Sequence, residues 1–266
     1  MQYITDSLRR INRAKKHLNV LNREIKAFIA SQPYRCSIHK NTKEGYYIIQ
    51  PYLIRGEYPI AWGLLIGEVA HGLRSALDNI AWSLATTKDR RTIFPISIER
   101  NEEFNKRLER LRSDVWDDVK AVQPYNRADR EKRQHPLWIL HVIDNIDKHR
   151  IILPGATRIS IATGLPSPRK YLYIDGFRRL HKGTVEFKLS PPPNSQEDFK
   201  PEVVAQIGFD ISSTIPSEAD NPPRIRLRDL FTIHHFIRND VYPRFAKFLE
   251  PKKGLVDSSI LSPLIQ

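Results

Sequence analysis

The sequence predicts an α+β fold, an α-helical bundle with an inserted small antiparallel β-sheet and a C-terminal helix that packs on the bundle. Three observations predict it. Apolar residues recur at intervals of three and four through residues 5–30, 60–86 and 137–153. From 156 to 223 the pattern becomes short alternating runs between proline-rich connections, and from 224 to 250 helical spacing returns. At 266 residues the chain is long enough for one integrated domain. We read residues 1–250 as that domain: 1–155 mainly helical, 156–223 β-rich, 224–250 the C-terminal helix, and 251–266 a flexible tail.

The first helix carries Leu8, Ile11, Leu18, Leu21, Ile25 and Phe28 on one stripe, with Ala14 in the gap. Thr5, Asp6 and Ser7 are candidate N-caps, and Pro33 stops the helix. "YRCSIHKNTKEGYYIIQPYLI" reads as a β-hairpin with Gly45 at the turn. The next helix repeats Trp62, Ile66, Val69, Leu73, Leu77, Ile80 and Leu84, while Gly63 and Gly67 admit a close neighbour. "FPI" at 94–96 reads as a loop anchor, Asn101 caps a short helix, and Ser113 opens another. A basic connection, "NRADREKRQHP", leads to Pro136, which suits the first turn of a helix expected to run until Pro154-Gly155. "TRISIAT", "KYLYIDG", "GTVEFKLS" and "EVVAQIGFD" are the strand candidates. The last helix places Leu227, Leu230, His234, Ile237, Val241, Phe245 and Phe248 at helical spacing, with Pro243 positioned to kink it.

A formal net charge of +13 is the most informative bulk property. It favours polyanionic partners, nucleic acid first and anionic membrane surfaces second, and RNA is expected before DNA. Cys36 is the sole cysteine, which excludes an internal disulfide and a cysteine-based zinc site. The N-terminal residues lack the apolar core of a secretory signal, and no run reaches the ~18 apolar residues of a membrane span, so a cytoplasmic location without a membrane partner is expected. A homodimer is compatible with this composition.

"HVIDNIDKHR" at 141–150 sets six ionisable residues between apolar flanks. On a helical wheel Ile139, Val142, Ile143 and Ile146 share one face, and His141, Asp144 and Lys148 lie opposite. Asn145 and His149 fall on the flank nearer the apolar face. The preceding long helix has a similar stripe of His71, Arg74, Ser75 and Asp78, in which Arg74 and Asp78 are spaced to pair. Packed together, the two helices would bring His71, Arg74, Asp78, Asn145, Asp147 and His149 within reach of one another. Lys148 and Arg150 would add binding charge. Such a cluster is an internal network that fixes register, a functional pocket or a solvated face.

"GLRSALDNIAWSLA", "FPI", "QPY" and "HPLWILHVIDNIDKHRIIL" resemble the signature blocks of a widespread family of bacterial and phage-borne proteins. The resemblance covers residues 60–155 well and the remainder loosely; it implies a single integrated unit and no particular reaction.

A second, slighter similarity is to the metal-independent ribonucleases of HEPN-domain toxins, which use an Arg and a His four to six residues apart. Arg130 and His135 enclose "EKRQ" and match that spacing, although Glu131 stands where a polar Asn, Asp or His is usual and Pro136 follows the His. That similarity implies an RNase-like or defence-associated factor with Arg130 and His135 as its Arg–His pair, and the helix cluster adds Arg74, Asp78 and His149 as catalytic candidates. His71, Asn145, Asp147, Lys148 and Arg150 are then the binding candidates. A metal-dependent hydrolase using His71, Asp78, His141, Asp144 and His149 ranks below it, since no compact ligand motif such as H-E-x-x-H is present. No cofactor is expected, because phosphate-loop, dinucleotide and nucleophile-elbow motifs are all missing. The alternative to catalysis is a binding or structural protein. Its basic residues interleave with aromatics in "PYRCSIHKNTKEGYY", "RKYLYIDGFRRLHKG" and "VYPRFAKFLEPKK".

Overall fold

A computed structural model describes residues 2–149, 152–162, 171–178, 186–189, 202–210 and 224–249. The architecture is mixed helix and strand with small antiparallel sheets and a C-terminal helical segment. The chain divides into two compact units, one of residues 1–14, 71–141 and 233–266, the other of 15–70 and 142–232.

Helix α1 spans Gln2–Ala30 and buries Ile11, Ala14, Leu18, Leu21 and Ile25 along the expected stripe. It begins before the three candidate caps. Ser7 is instead fully buried, and its hydroxyl donates to the Ala76 carbonyl at 3.1 Å. Gln32, with φ 49°, turns the chain out of the helix. Strands β1 (Tyr34–Asn41) and β2 (Tyr46–Leu53) form the hairpin, pairing Tyr34 with Leu53 and Asn41 with Tyr46. Gly45 at φ +68° occupies the turn position that a Cβ would strain.

Helix α2 (Ala61–Leu84) buries all seven residues of its predicted stripe. Helix α3 (Glu102–Leu108) is capped by Asn101, whose side chain accepts the Phe104 N–H at 2.9 Å. A 3₁₀ turn at Ser113–Val115 leads into α4 (Trp116–Ala121), and the basic connection contains one short helix, α5 (Asp129–Lys132). Helix α6 starts at Pro136 as expected but ends at Asp147, six residues short of the predicted end. The β-branched pair Ile151-Ile152 favours strand, and Pro154 biases Leu153 away from helical geometry. Pro154 and Gly155 therefore lie inside strand β3 (Leu153–Ala162), opposite Phe209 and Gly208.

The strands β4 (Tyr171–Arg178), β5 (Phe187–Leu189), β6 (Glu202–Asp210) and β7 (Arg224–Arg226) follow. They do not make one sheet. β5 joins the hairpin in the order β1-β2-β5, and the other sheet runs β4-β3-β6-β7, every pairing antiparallel. Both sheets belong to the second unit.

The predicted C-terminal helix is broken into α7 (Leu227–Phe236), a π-helical turn at Ile237–Val241 and α8 (Tyr242–Leu249). The wide turn falls just ahead of Pro243, which has no N–H for the helical ladder and would crowd the carbonyl four residues back. In the first unit the Phe94 and Phe245 rings meet edge-on at 5.6 Å, among buried Leu73, Leu77, Val119, Ile237 and Val241. In the second, Phe28 packs against Tyr34, Tyr58 and Trp62. The tail at 251–266 lies outside the described residues.

Candidate functional site

In the first unit, Arg74 and Asp78 sit one turn apart on α2 and bind each other, Arg74 Nη2 to Asp78 Oδ1 at 2.9 Å. They also hold the backbone of Phe94 from both sides. Arg74 Nη2 donates to the Phe94 carbonyl at 2.9 Å, and the Phe94 N–H donates to Asp78 Oδ1 at 2.9 Å. The Arg74 side chain is only 8% exposed, and its Nη1 has no hydrogen-bond acceptor among the described residues. The pairing thus comes with a desolvation cost.

Gln123, absent from the candidate set, completes this clamp. Its Nε2 donates to the Pro95 and Val119 carbonyls at 2.9 and 3.0 Å, and its Oε1 accepts the Ser97 N–H at 3.1 Å. The blocks "LRSALD", "FPIS" and "QPY" therefore converge on one loop. Only the Arg74–Asp78 spacing was legible beforehand; the sole hint of Gln123 was its place in the "QPY" block.

The outer side of the same loop is held as firmly. Arg110 Nη1 contacts both Asp89 carboxylate oxygens at 2.8 Å. Thr92 donates to the Thr87 carbonyl and accepts the Asp89 N–H, and Ala85 bridges to Leu111. The Arg110 guanidinium bonded to Asp89 holds that carboxyl below its ordinary range. The segment so fixed presents Lys88, Arg90 and Arg91, all without a salt bridge among the described residues. Between it and α3 runs a groove of about 630 Å³ lined by Thr87, Arg91, Ile93, Lys106, Arg107 and Arg110, with Glu103 and Glu109 also on its walls.

His135 is buried at the head of α6. Its Nδ1 accepts the Leu137 N–H at 3.2 Å, an N-cap contact, and its ring meets Phe236 edge-on. Burial pushes the His135 pKa down to about 4, with the charge of Arg127 adding to the fall, so the imidazole is neutral near pH 7. Arg130 is exposed on α5, and no hydrogen bond joins it to His135 among the described residues. His71 is exposed beside Ser75, with 3.4 Å between Nε2 and Oγ.

In the second unit the polar segment of α6 departs from the helical-wheel expectation. Asp144, placed opposite the apolar face, is 2% exposed and accepts from Lys148 Nζ at 2.7 Å. Asn145 and His149, expected nearer the apolar face, are both exposed. The reversal arises because α6 is covered on more than one side. Leu137 and Leu140 are buried as fully as Ile143 and Ile146, so a single-stripe reading misplaces the wet face. Asp147 is half-buried over α2, where a Cβ added to Gly67 would lie 1.9 Å from its Oδ1. α2 and α6 are thus in direct contact at this point. Arg150 lies outside the described residues.

Among the described residues no group of three or more His, Cys, Asp or Glu converges as a metal ligand set. Burial pushes the Cys36 thiol up to about 11, which suits a half-buried hydrophobe rather than a nucleophile. No described helix is long and apolar enough to cross a membrane. No family model matches the chain, and no curated protein or solved structure matches it either.

Proposed function

We propose that this protein binds nucleic acid in the cytoplasm by neutralising its phosphate backbone, RNA in preference to DNA. The observation that carries the reading is the formal charge of +13, much of it on exposed side chains with no acidic partner. Arg10, Arg23, Lys26, Lys88, Arg90 and Arg91 are of this kind among the described residues. Cations lie over aromatic rings, Arg100 on Tyr125 and Lys188 on Tyr46, both at 4.8 Å, a pairing of charge with aromatic surface that suits single-stranded nucleic acid. RNA displays unpaired bases in loops and ends.

Binding is favoured over cleavage. Arg74 and Asp78 are occupied with the Phe94 backbone and His135 with a helix cap, so these three catalytic candidates already serve the fold. The test is a labelled single-stranded RNA titrated between about 50 and 200 mM salt, with a cleavage assay in EDTA beside it. Affinity should fall steeply and linearly on logarithmic axes, with the RNA intact. Affinity indifferent to salt would overturn the reading, and cleavage in EDTA would restore the ribonuclease.

A further inference from the structure

We infer that the groove between residues 87–93 and α3 is where the phosphate backbone is gripped, an assignment that rests on the nucleic-acid reading. The groove draws cations from three places in the chain: Arg91 from the clamped loop, Lys106 and Arg107 from α3, and Arg110 from the segment beyond it. Residues 86–112 carry eight Lys or Arg against five Asp or Glu. Arg110 is committed to Asp89, but local acids leave the other three groove cations available to a ligand. Lys106 pairs with Glu102, and Arg107 with Glu103, but the two carboxylates are 82% and 71% exposed. Exposed i,i+4 pairs of this kind are worth only about 0.3–0.5 kcal/mol, so a phosphate can displace either one. Among the described residues Arg91 has no acidic side chain in a salt bridge with it, and its backbone N–H engages Asp89 at 2.7 Å.

The groove is also held in shape before any ligand arrives. Its loop wall is fixed from inside by Arg74, Asp78 and Gln123 and from outside by the Asp89–Arg110 contact. Cations on a preorganised wall lose less freedom on binding than cations on a loose loop. The shape favours a polynucleotide strand over a bilayer. The site is concave, Ile93 on its wall is only partly exposed, and none of the large exposed hydrophobic residues Ile29, Ile54, Ile60, Leu64 and Val204 lines it, so it lacks the exposed apolar face with which a protein surface enters a lipid layer.

The experiment compares the salt dependence of single-stranded RNA binding for the full chain, for Arg91→Ala/Lys106→Ala, and for Arg9→Ala/Lys16→Ala, which removes the same charge from exposed positions on α1. Each phosphate contact on a single strand contributes about 0.7 to the logarithmic slope, so the groove variant should lose about 1.4 while the α1 variant keeps the original slope. The single variant Lys106→Gln should lose about 0.7 and guards against misfolding of the double. Equal slopes for the two double variants would overturn the groove assignment and leave the proposed function standing. An unmodified chain with no salt-dependent RNA binding would overturn the function itself and the groove with it. A parallel arm uses phosphatidylserine vesicles: a slope change seen there and not with RNA would assign the groove to lipid phosphate and overturn the inference.

Discussion

Two acid–base pairs of the same spacing behave in opposite ways. In Arg74–Asp78 the cation is the buried partner, 8% exposed against 30% for the acid. In Asp144–Lys148 the acid is buried, 3% exposed against 53% for the lysine. Which partner is buried decides what the pair can do. A buried guanidinium has several fixed donors and is driven to find carbonyls, and Arg74 finds the Phe94 backbone, tying a loop to a helix. An exposed ammonium over a buried carboxylate shields that carboxylate and reaches little else. The first pair organises a distant segment of chain, whereas the Lys148–Asp144 contact joins positions one turn apart.

The largest expected effect follows from that asymmetry. Arg74→Ala leaves the Phe94 carbonyl and the Asp78 carboxylate without their partner and should cost about 3–5 kcal/mol in urea melts. Lys148→Ala removes a half-exposed partner and should cost about 1–2 kcal/mol. Comparable losses for the two variants would remove the distinction between the pairs.

His135 extends the comparison to a buried group that titrates. Its folded pKa, about 4, lies below the ordinary 6.5, so the fold favours the neutral ring. The unfolded chain then binds more protons between those values. The contribution is fully present above pH 6.5 and is lost as pH falls toward 4. His135→Asn, which keeps a capping oxygen, should flatten the decline in melting temperature across that window; an unchanged decline would remove His135 as its source.

The smallest effect concerns Gly67. Alanine would gain about 1 kcal/mol in helix propensity, but its Cβ would displace the Asp147 carboxylate. Gly67→Ala should therefore destabilise the chain alone and stabilise it modestly in an Asp147→Ala background. A gain in both backgrounds would show that the carboxylate moves away freely.

The legible and illegible parts of the molecule divide along physical lines. The stripe of α2 was readable because one side of the helix takes most of the burial, and Pro136 marked a helix start because its missing N–H is tolerated there. Asp144 was misplaced because α6 buries apolar residues around much of its circumference, and a wheel records periodicity without recording neighbours. β5 was readable as a strand, but its choice of β2 as partner depends on contacts far apart in sequence. The same holds for the clamp. Arg74 and Asp78 announce themselves by spacing, whereas Gln123 reaches Pro95 across 28 residues and leaves no periodic trace.

We propose that Arg74, Asp78 and Gln123 serve nucleic-acid binding by holding a basic loop in place. Gln123→Ala tests it most directly, because it loosens Pro95 and Ser97 and leaves the charge of the chain unchanged. RNA affinity is measured at fixed moderate salt, with folding verified by a thermal melt. A clamped groove predicts an affinity about tenfold weaker, roughly 1.4 kcal/mol. An affinity identical to that of the unmodified chain would mean that net charge alone drives binding and that the clamp serves only the fold.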